Sequence, residues 1–106
     1  MINITFNPKS LELEINGHAE QNEKGKDIVC SAISTLFYTL GQTLYDSEGM
    51  LKAAPIVKYN DGAGYIRCYP KEEFEGNIAC IYNTILTGIQ MVAEEYKNFI
   101  SFIVMG

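Results

Sequence analysis

The spacing of apolar residues along this chain changes twice from every second residue to every third or fourth residue. The first change separates residues 2–15 from residues 28–45, and the second separates residues 54–69 from a stretch that ends near residue 97. Alternation is typical of a strand with one buried face, whereas the longer period is typical of an amphipathic helix. The pattern restricts the chain to folds in which two helices cover a sheet.

The first alternating stretch predicts a β-hairpin. A turn-forming segment, Asn7-Pro8-Lys9-Ser10, separates two runs in which apolar and polar residues alternate. The apolar positions of both runs belong to one face, which we expect to be buried: Ile2, Ile4, Phe6, Leu11, Leu13 and Ile15. The second strand then ends at Gly17-His18.

The first helical stretch predicts a helix from about Ile28 to Tyr45. Asp27 is a favourable N-cap residue, and Asp46-Ser47-Glu48-Gly49 closes the helix. An apolar stripe runs along one side and should face the core: Val29, Ile33, Leu36, Phe37, Leu40 and Leu44.

The rest of the chain repeats this order and adds one strand. We expect strands at 54–59 and 65–69, joined by a glycine-containing turn, with Pro55 at the start of the first or on a sheet edge. A second helix should run from about Lys71 or Glu75 to Lys97. The mostly apolar segment 99–105 predicts a last strand in a covered, central position. The fold class is α+β, one domain over residues 1–106 in the order ββαββαβ, with two helices packed on a largely antiparallel, mixed sheet.

The start of the first helix lies between a histidine and a cysteine, the two residue types that could together produce a thiolate nucleophile. His18, the single histidine, follows the second strand, and Cys30 lies at the third position of the expected helix. Unpaired N–H groups and the helix dipole favour a thiolate there. An imidazole nearby could accept the thiol proton. The Asp27 carboxylate opposes this effect unless helix N–H groups or His18 absorb its charge.

The run Glu20-Gln21-Asn22-Glu23-Lys24-Gly25-Lys26 joins these two residues and contains no apolar side chain. A segment of this composition cannot be held by core burial, so it predicts a mobile surface loop. Such a loop over a nucleophile would serve as a lid or substrate gate.

Charge and cysteine usage narrow the class of partner. The net charge is −5 and no Lys/Arg cluster is present, which argues against nucleic acid and favours a basic protein partner. We expect no secretory signal, because the first residues alternate and lack a basic region, and no apolar run is long enough to span a membrane. Three cysteines, an odd number, argue against a disulfide framework and favour a cytoplasmic location.

The remaining motifs have structural interpretations. Cys68 and Cys80 are expected to be structural, and the three cysteines lack the paired spacing of a zinc site, so we expect no metal and no cofactor. Tyr65, Arg67 and Tyr69 share one face of their strand. That face could form a substrate or dimer surface, or could simply carry cross-strand pairs.

The stretch Gly17-His18-Ala19, then Gly25, then Asp27-Ile28-Val29-Cys30-Ser31-Ala32-Ile33-Ser34 resembles the signature of the ribosomal-processing cysteine proteases, the Prp family. Chain length and element order also match that family, although the specific motif is confined to residues 17–34. Ser31 stands where the family commonly has a small apolar residue, a mild departure that adds a hydroxyl beside the nucleophile.

The resemblance implies a cytoplasmic, homodimeric endopeptidase with a Cys/His dyad. It would remove the N-terminal extension from the precursor of large-subunit ribosomal protein twenty-seven, cutting after an apolar segment that ends in aromatic residues. By position, Cys30 would be the nucleophile and His18 the general base. Asp27 would then act as a cap and orient His18, and Ser34 would be hydrogen-bonded near the thiol.

Two other function classes remain open from the sequence. A ribosome-assembly or interaction module would bind a basic ribosomal protein without cutting it, and a thiol redox sensor would also use an activated Cys30. Peptide cleavage distinguishes a protease from both.

Overall fold

A computed structural model describes residues 1–17, 26–60 and 62–106. In that part of the chain, five strands form one sheet and two long helices cover it. The strands are β1 (Ile2–Asn7), β2 (Glu12–Asn16), β3 (Ile56–Asn60), β4 (Ala63–Arg67) and β5 (Ile100–Val104), and the helices are α1 (Lys26–Asp46) and α2 (Glu75–Glu95). Short 3₁₀ turns at Glu48–Met50 and Glu72–Phe74 follow α1 and precede α2. The predicted α+β class and element order are confirmed.

The sheet is mixed and has the strand order β3-β4-β2-β1-β5. Its three antiparallel pairs are β1 with β2, β2 with β4, and β3 with β4, whereas β5 runs parallel to β1. The hairpin register places Ile4 opposite Ile15 and Phe6 opposite Leu13. The alternating apolar residues therefore share one face, as the sequence indicates.

The core lies between that face and the helices. The stripes of both helices supply buried side chains, which include Val29, Phe37 and Leu40 from α1 and Ile78 and Tyr82 from α2, each 0 % exposed. Burial of this apolar surface is the main force that holds the layers together.

The structure corrects the predicted position of the last strand. β5 is an edge strand rather than a central one. Ile103 and Val104 are each 56 % exposed, so half of its apolar run is in contact with water. A continuous apolar run is usual for a strand covered on both faces. Here the helices cover only one face of the sheet, and the last residues of β5 lie beyond the core.

A glycine fixes how closely α1 approaches the sheet. Gly64 of β4 is buried, and a Cβ added to it would lie 2.9 Å from Cε2 of Phe37, too close for an ordinary contact. Because glycine lacks that atom, the Phe37 ring lies directly over the backbone of β4.

Candidate active site

Cys30 lies near the start of α1, at the border of the core. The adjacent residue Val29 is fully buried, and Cys30 itself is half-buried and packs against the core cluster. Cys30 follows Val29 of the apolar stripe directly, so helical geometry places its side chain at the edge of that stripe. A thiol in such a place is fixed by packing on one side and accessible on the other.

The start of α1 differs from the expected one. The helix begins at Lys26, so Asp27 is its second residue and not its N-cap. Cys30 becomes the fifth residue, one position beyond the four N–H groups that lack an intrahelical partner. The helix includes two polar residues ahead of the apolar stripe. The stripe shows which residues pack against the core, and it does not mark where the helix starts. Any effect of the helix start on the thiol is therefore weaker than expected, since the dipole acts mainly within the first turn.

Ser34 follows Cys30 by one helical turn and contacts the edge strand. Its hydroxyl lies 3.5 Å from the Tyr59 hydroxyl of β3, and either group can donate the hydrogen bond. The Tyr59 ring packs against Phe37 and Tyr38, with centroids 5.5 and 5.2 Å apart. Tyr38 and Tyr59 are 51 % and 45 % exposed, so the cluster presents ring surface to solvent.

The sequence analysis did not identify these two tyrosines as site residues. Tyr38 is next to the apolar stripe and Tyr59 ends a predicted strand, and both positions have ordinary structural explanations. The alternation of strand 54–59 indicates which face Tyr59 occupies. Its contact with α1 depends on the strand order and on how closely the helix packs, which no local pattern contains.

Two grooves border α1, and Ser31 and Thr35 line both. One has a volume of about 560 Å³ and is lined mainly by hydroxyl, amide and ring groups of α1: Ser31, Ser34, Thr35, Tyr38, Thr39, Gln42 and Thr43. The other, about 760 Å³, lies between the helices and is mainly apolar: Ile28, Ser31, Ala32, Thr35, Leu36, Gly88, Met91 and Val92. The hydroxyl-lined groove begins directly after Cys30, and its rim carries the Tyr38 ring.

Gly17 fixes the direction in which the chain leaves β2. Its φ is +108°, and its N–H donates a 2.9 Å hydrogen bond to the carbonyl of Gly62 in the β3–β4 turn. A Cβ at this position would collide with the carbonyl oxygen of Met1. The residue before His18 therefore has a backbone that only glycine adopts without strain.

His18 and the side chain of Asp27 lie outside the described residues, as does the run 20–25, while Lys26 belongs to α1. The structure thus places Ser34 one helical turn from Cys30 and joins it to Tyr59 of β3. The His18–Cys30 pair and the loop between them stay predictions.

The other two thiols differ from Cys30 in their surroundings. Cys68 is 2 % exposed, and the Tyr82 hydroxyl donates a 3.6 Å hydrogen bond to its sulfur. Burial raises the pKa of the Cys68 thiol, which keeps it protonated. Cys80 is exposed on α2. Within the ranges described, no group of three or more His, Cys, Asp or Glu residues could hold a metal ion.

The outer face of the sheet carries the cross-strand pairs that the sequence offered as one alternative. Tyr65 donates a 2.6 Å hydrogen bond to Glu12, and Arg67 lies 3.9 Å from the same carboxylate. The Arg67 guanidinium also stacks over the Tyr69 ring, 4.9 Å from its centroid.

No long helix in the part of the chain that the structure describes is apolar enough to cross a membrane.

Comparison with known proteins agrees with this architecture. The family model of cysteine protease Prp matches residues 1–101. A ribosomal processing cysteine protease Prp from Staphylococcus aureus is 27 % identical over 99 residues, which are 92 % of this chain and 91 % of the relative.

Solved structures give the same result. The S. aureus ribosomal processing protease Prp in complex with a covalently linked product peptide superimposes with a TM-score of 0.76 at 25 % identity, over 99 % of this chain and 100 % of the relative. A Streptococcus mutans protein has the same fold, with a TM-score of 0.70 at 24 % identity over 98 % of this chain and 91 % of its own. The chain belongs to the Prp family of ribosomal-processing proteins, and it is a cysteine protease.

Proposed function

We propose that this protein is an endopeptidase that uses Cys30 as its nucleophile and His18 as its general base. The observation that carries the assignment is the position of Cys30, which is the half-buried one of the three thiols and directly precedes Ser31, a lining residue of the groove on α1. Cys68 is enclosed by the core, and Cys80 projects from α2. A nucleophile needs both a fixed position and access for its substrate, and Cys30 combines the two.

In the proposed reaction, His18 takes the proton from the Cys30 thiol. The thiolate attacks the carbonyl carbon of the scissile peptide bond, and the imidazolium protonates the departing amine as the C–N bond breaks. Water, deprotonated by His18, then hydrolyses the thioester and releases the new carboxyl end. The products are two peptides and a regenerated thiol.

Two further residues support this dyad in the proposal. Asp27, in the first turn of α1, orients His18, a role that does not require it to cap the helix. Ser34 lies one turn from Cys30, and its hydroxyl bonds to Tyr59. That bond ties the thiol-bearing turn of α1 to strand β3, so Ser34 stabilises the position of the nucleophile relative to the sheet.

The proposed substrate is the precursor of large-subunit ribosomal protein twenty-seven, from which the enzyme removes an N-terminal extension. The S. aureus relative was solved with a covalently linked product peptide, which supports a peptide substrate here. The hydroxyl oxygens of the groove can accept hydrogen bonds from the backbone of an extended peptide, and the exposed Tyr38 ring can contact its apolar side chains. The net charge of −5 favours a basic ribosomal substrate.

Incubation with the purified precursor, followed by measurement of fragment masses, tests this function. Cys30→Ala and His18→Ala should each lower the cleavage rate by more than about 10³-fold, because the two residues act as one unit. Cys80→Ser is the matched control, since that thiol is exposed and lies on the other helix. Retained turnover in folded Cys30→Ala would refute the assignment.

The same assay addresses the two alternatives. Binding of intact precursor by the wild type, without fragments, would indicate an interaction module. Reversible oxidation of Cys30 without cleavage of any precursor would indicate a redox sensor. Neither result is expected.

We also propose a cytoplasmic homodimer with each dyad formed within one chain. The exposed residues Cys80, Thr84, Thr87 and Met91 of α2 and the Tyr65/Arg67/Tyr69 face are the two candidate contact surfaces. Eleven residues separate His18 from Cys30, a length that easily spans from a strand end to a helix start. Mixing Cys30→Ala with His18→Ala protein should therefore restore no cleavage, and substantial recovery would mean a dyad shared between chains.

A further inference from the structure

We propose that a pocket remote from Cys30 binds a small phosphorylated ligand. The pocket, about 400 Å³, lies between the β1–β2 turn, the segment that follows β4 and the start of α2. Its polar lining comprises Lys9, Ser10, Lys52, Arg67, Tyr69 and Glu75. A volume of this order is typical of sites for small ligands.

The pocket concentrates positive charge in an acidic protein. The whole sequence has eight Lys and Arg residues against thirteen Asp and Glu, and three of those eight line this pocket. Two carboxylates lie close to them, Glu75 in the lining and Glu12 beside Arg67. A monoanion would be only weakly favoured against these carboxylates. A phosphate monoester carries about two charges at neutral pH, so it gains more from the three cations.

Arg67 is held in place with hydrogen-bonding capacity unused. Its guanidinium is positioned by the Tyr69 ring and the Glu12 carboxylate, at 4.9 and 3.9 Å. Its Nε atom is buried and makes no hydrogen bond to any described residue, whereas the Ser10 hydroxyl is paired with the Glu12 carboxylate and lowers the pKa of that group. Buried polar atoms normally have partners, so the unpaired Nε of Arg67 in the pocket wall indicates a ligand that completes it. Guanidinium and hydroxyl groups both donate to phosphate oxygens.

This pocket is separate from the protease site. The β1–β2 turn lies at the start of β2, whereas Gly17, which precedes His18, lies just past its other end. The five residues of β2 between them span about 16 Å. The pocket and the hydroxyl-lined groove on α1 share no lining residue, so binding in the pocket can be tested independently of cleavage.

Titration of the full-length protein, followed by backbone amide NMR, tests the proposal. The probes are inorganic phosphate and adenosine monophosphate, with acetate and adenosine as controls lacking a dianionic phosphate, all at one ionic strength. We expect saturable shifts at the amides of Ser10, Arg67 and Tyr69 with both phosphate probes and none with the controls. Tighter binding of adenosine monophosphate would identify a nucleotide-sized ligand, and equal affinities would identify free phosphate.

Two exposed lysines provide a matched pair of variants. Lys52→Gln removes a charge from the pocket and should weaken phosphate binding about tenfold, the loss of one charge-assisted hydrogen bond. Lys58→Gln removes a charge from β3, outside the pocket, and should leave the affinity unchanged. No saturable shift at millimolar phosphate, equal shifts with acetate, or equal weakening by both variants would overturn the proposal. Unchanged spectra of the free variants elsewhere in the chain establish that both are folded.

Discussion

Gly17→Ala tests the claim that a glycine-specific backbone conformation at the end of β2 directs His18. Gly17 has a φ of +108°, and its N–H is bonded to the carbonyl of Gly62. Alanine at this φ is strained, and its Cβ would meet the carbonyl oxygen of Met1, which is backbone and cannot rotate away. The chain must therefore shift at the end of β2, precisely where the hydrogen bond to the β3–β4 turn is made.

The expected cost is about 1–3 kcal/mol of unfolding free energy from the backbone strain alone. In a domain of this size, each kcal/mol lowers the melting temperature by about 4–8 °C. Thermal and urea unfolding measure this loss. Under the proposed function, displacement of His18 by about 1 Å lowers the cleavage rate by a further factor of about 100 at temperatures where the variant is fully folded.

Gly76→Ala is the matched control. Gly76 lies in the first turn of α2, and no atom lies within 4 Å of a Cβ added there. Alanine is the better helix former, so this variant should be as stable as the wild type or up to about 1 kcal/mol more stable, with unchanged cleavage. If Gly17→Ala matched Gly76→Ala in both measurements, the strain argument would be refuted.

Three further predictions concern the core, the thiols and the outer face. Leu40→Ala should lower the unfolding free energy by about 2–5 kcal/mol, measured by urea unfolding, because this side chain is fully buried. In folded protein at pH 8, iodoacetamide should modify Cys80 and spare Cys68, whose burial shields the thiol and raises its pKa; mass spectrometry of peptides gives the order. The hydrogen bond to Glu12 raises the pKa of Tyr65. The stability that this bond contributes is therefore present below about pH 10 and is lost as the pH rises through the pKa of Tyr65 in the folded protein. Glu12→Gln should lower the pKa of Tyr65 in an NMR titration, and an unchanged pKa would contradict the assigned cause.

The elements of this fold are predictable from the sequence because each depends on a local pattern. Alternation, one continuous apolar run and helical spacing locate the five strands and two helices of the described residues, with boundaries within a few residues. The position of β5 is not predictable in this way, since an apolar run reports burial on average and not strand order. Ile103 and Val104 satisfy the pattern of a covered strand and are nevertheless exposed at the sheet edge.

The candidate site, too, is predictable only where it depends on a local sequence pattern. Cys30 is identifiable from its spacing at the edge of the apolar stripe, and the structure places it there, half-buried. The start of α1 was misjudged because Asp27 is a good N-cap by residue type, yet the helix extends past it to Lys26. Tyr59 was missed as a partner of Ser34, because that contact joins residues 25 positions apart through tertiary packing.

Core packing and the wall of the candidate site are linked through one side chain. Phe37 lies over Gly64 because that position has no Cβ, and its ring also packs against the rings of Tyr38 and Tyr59. The Tyr38 ring borders the groove, and Tyr59 bonds to Ser34, one turn from Cys30. Any residue larger than glycine at position 64 would push Phe37 and α1 outward and weaken the Ser34–Tyr59 contact. The spacing between the thiol-bearing helix and strand β3 is therefore set inside the core, by the pair Phe37 and Gly64.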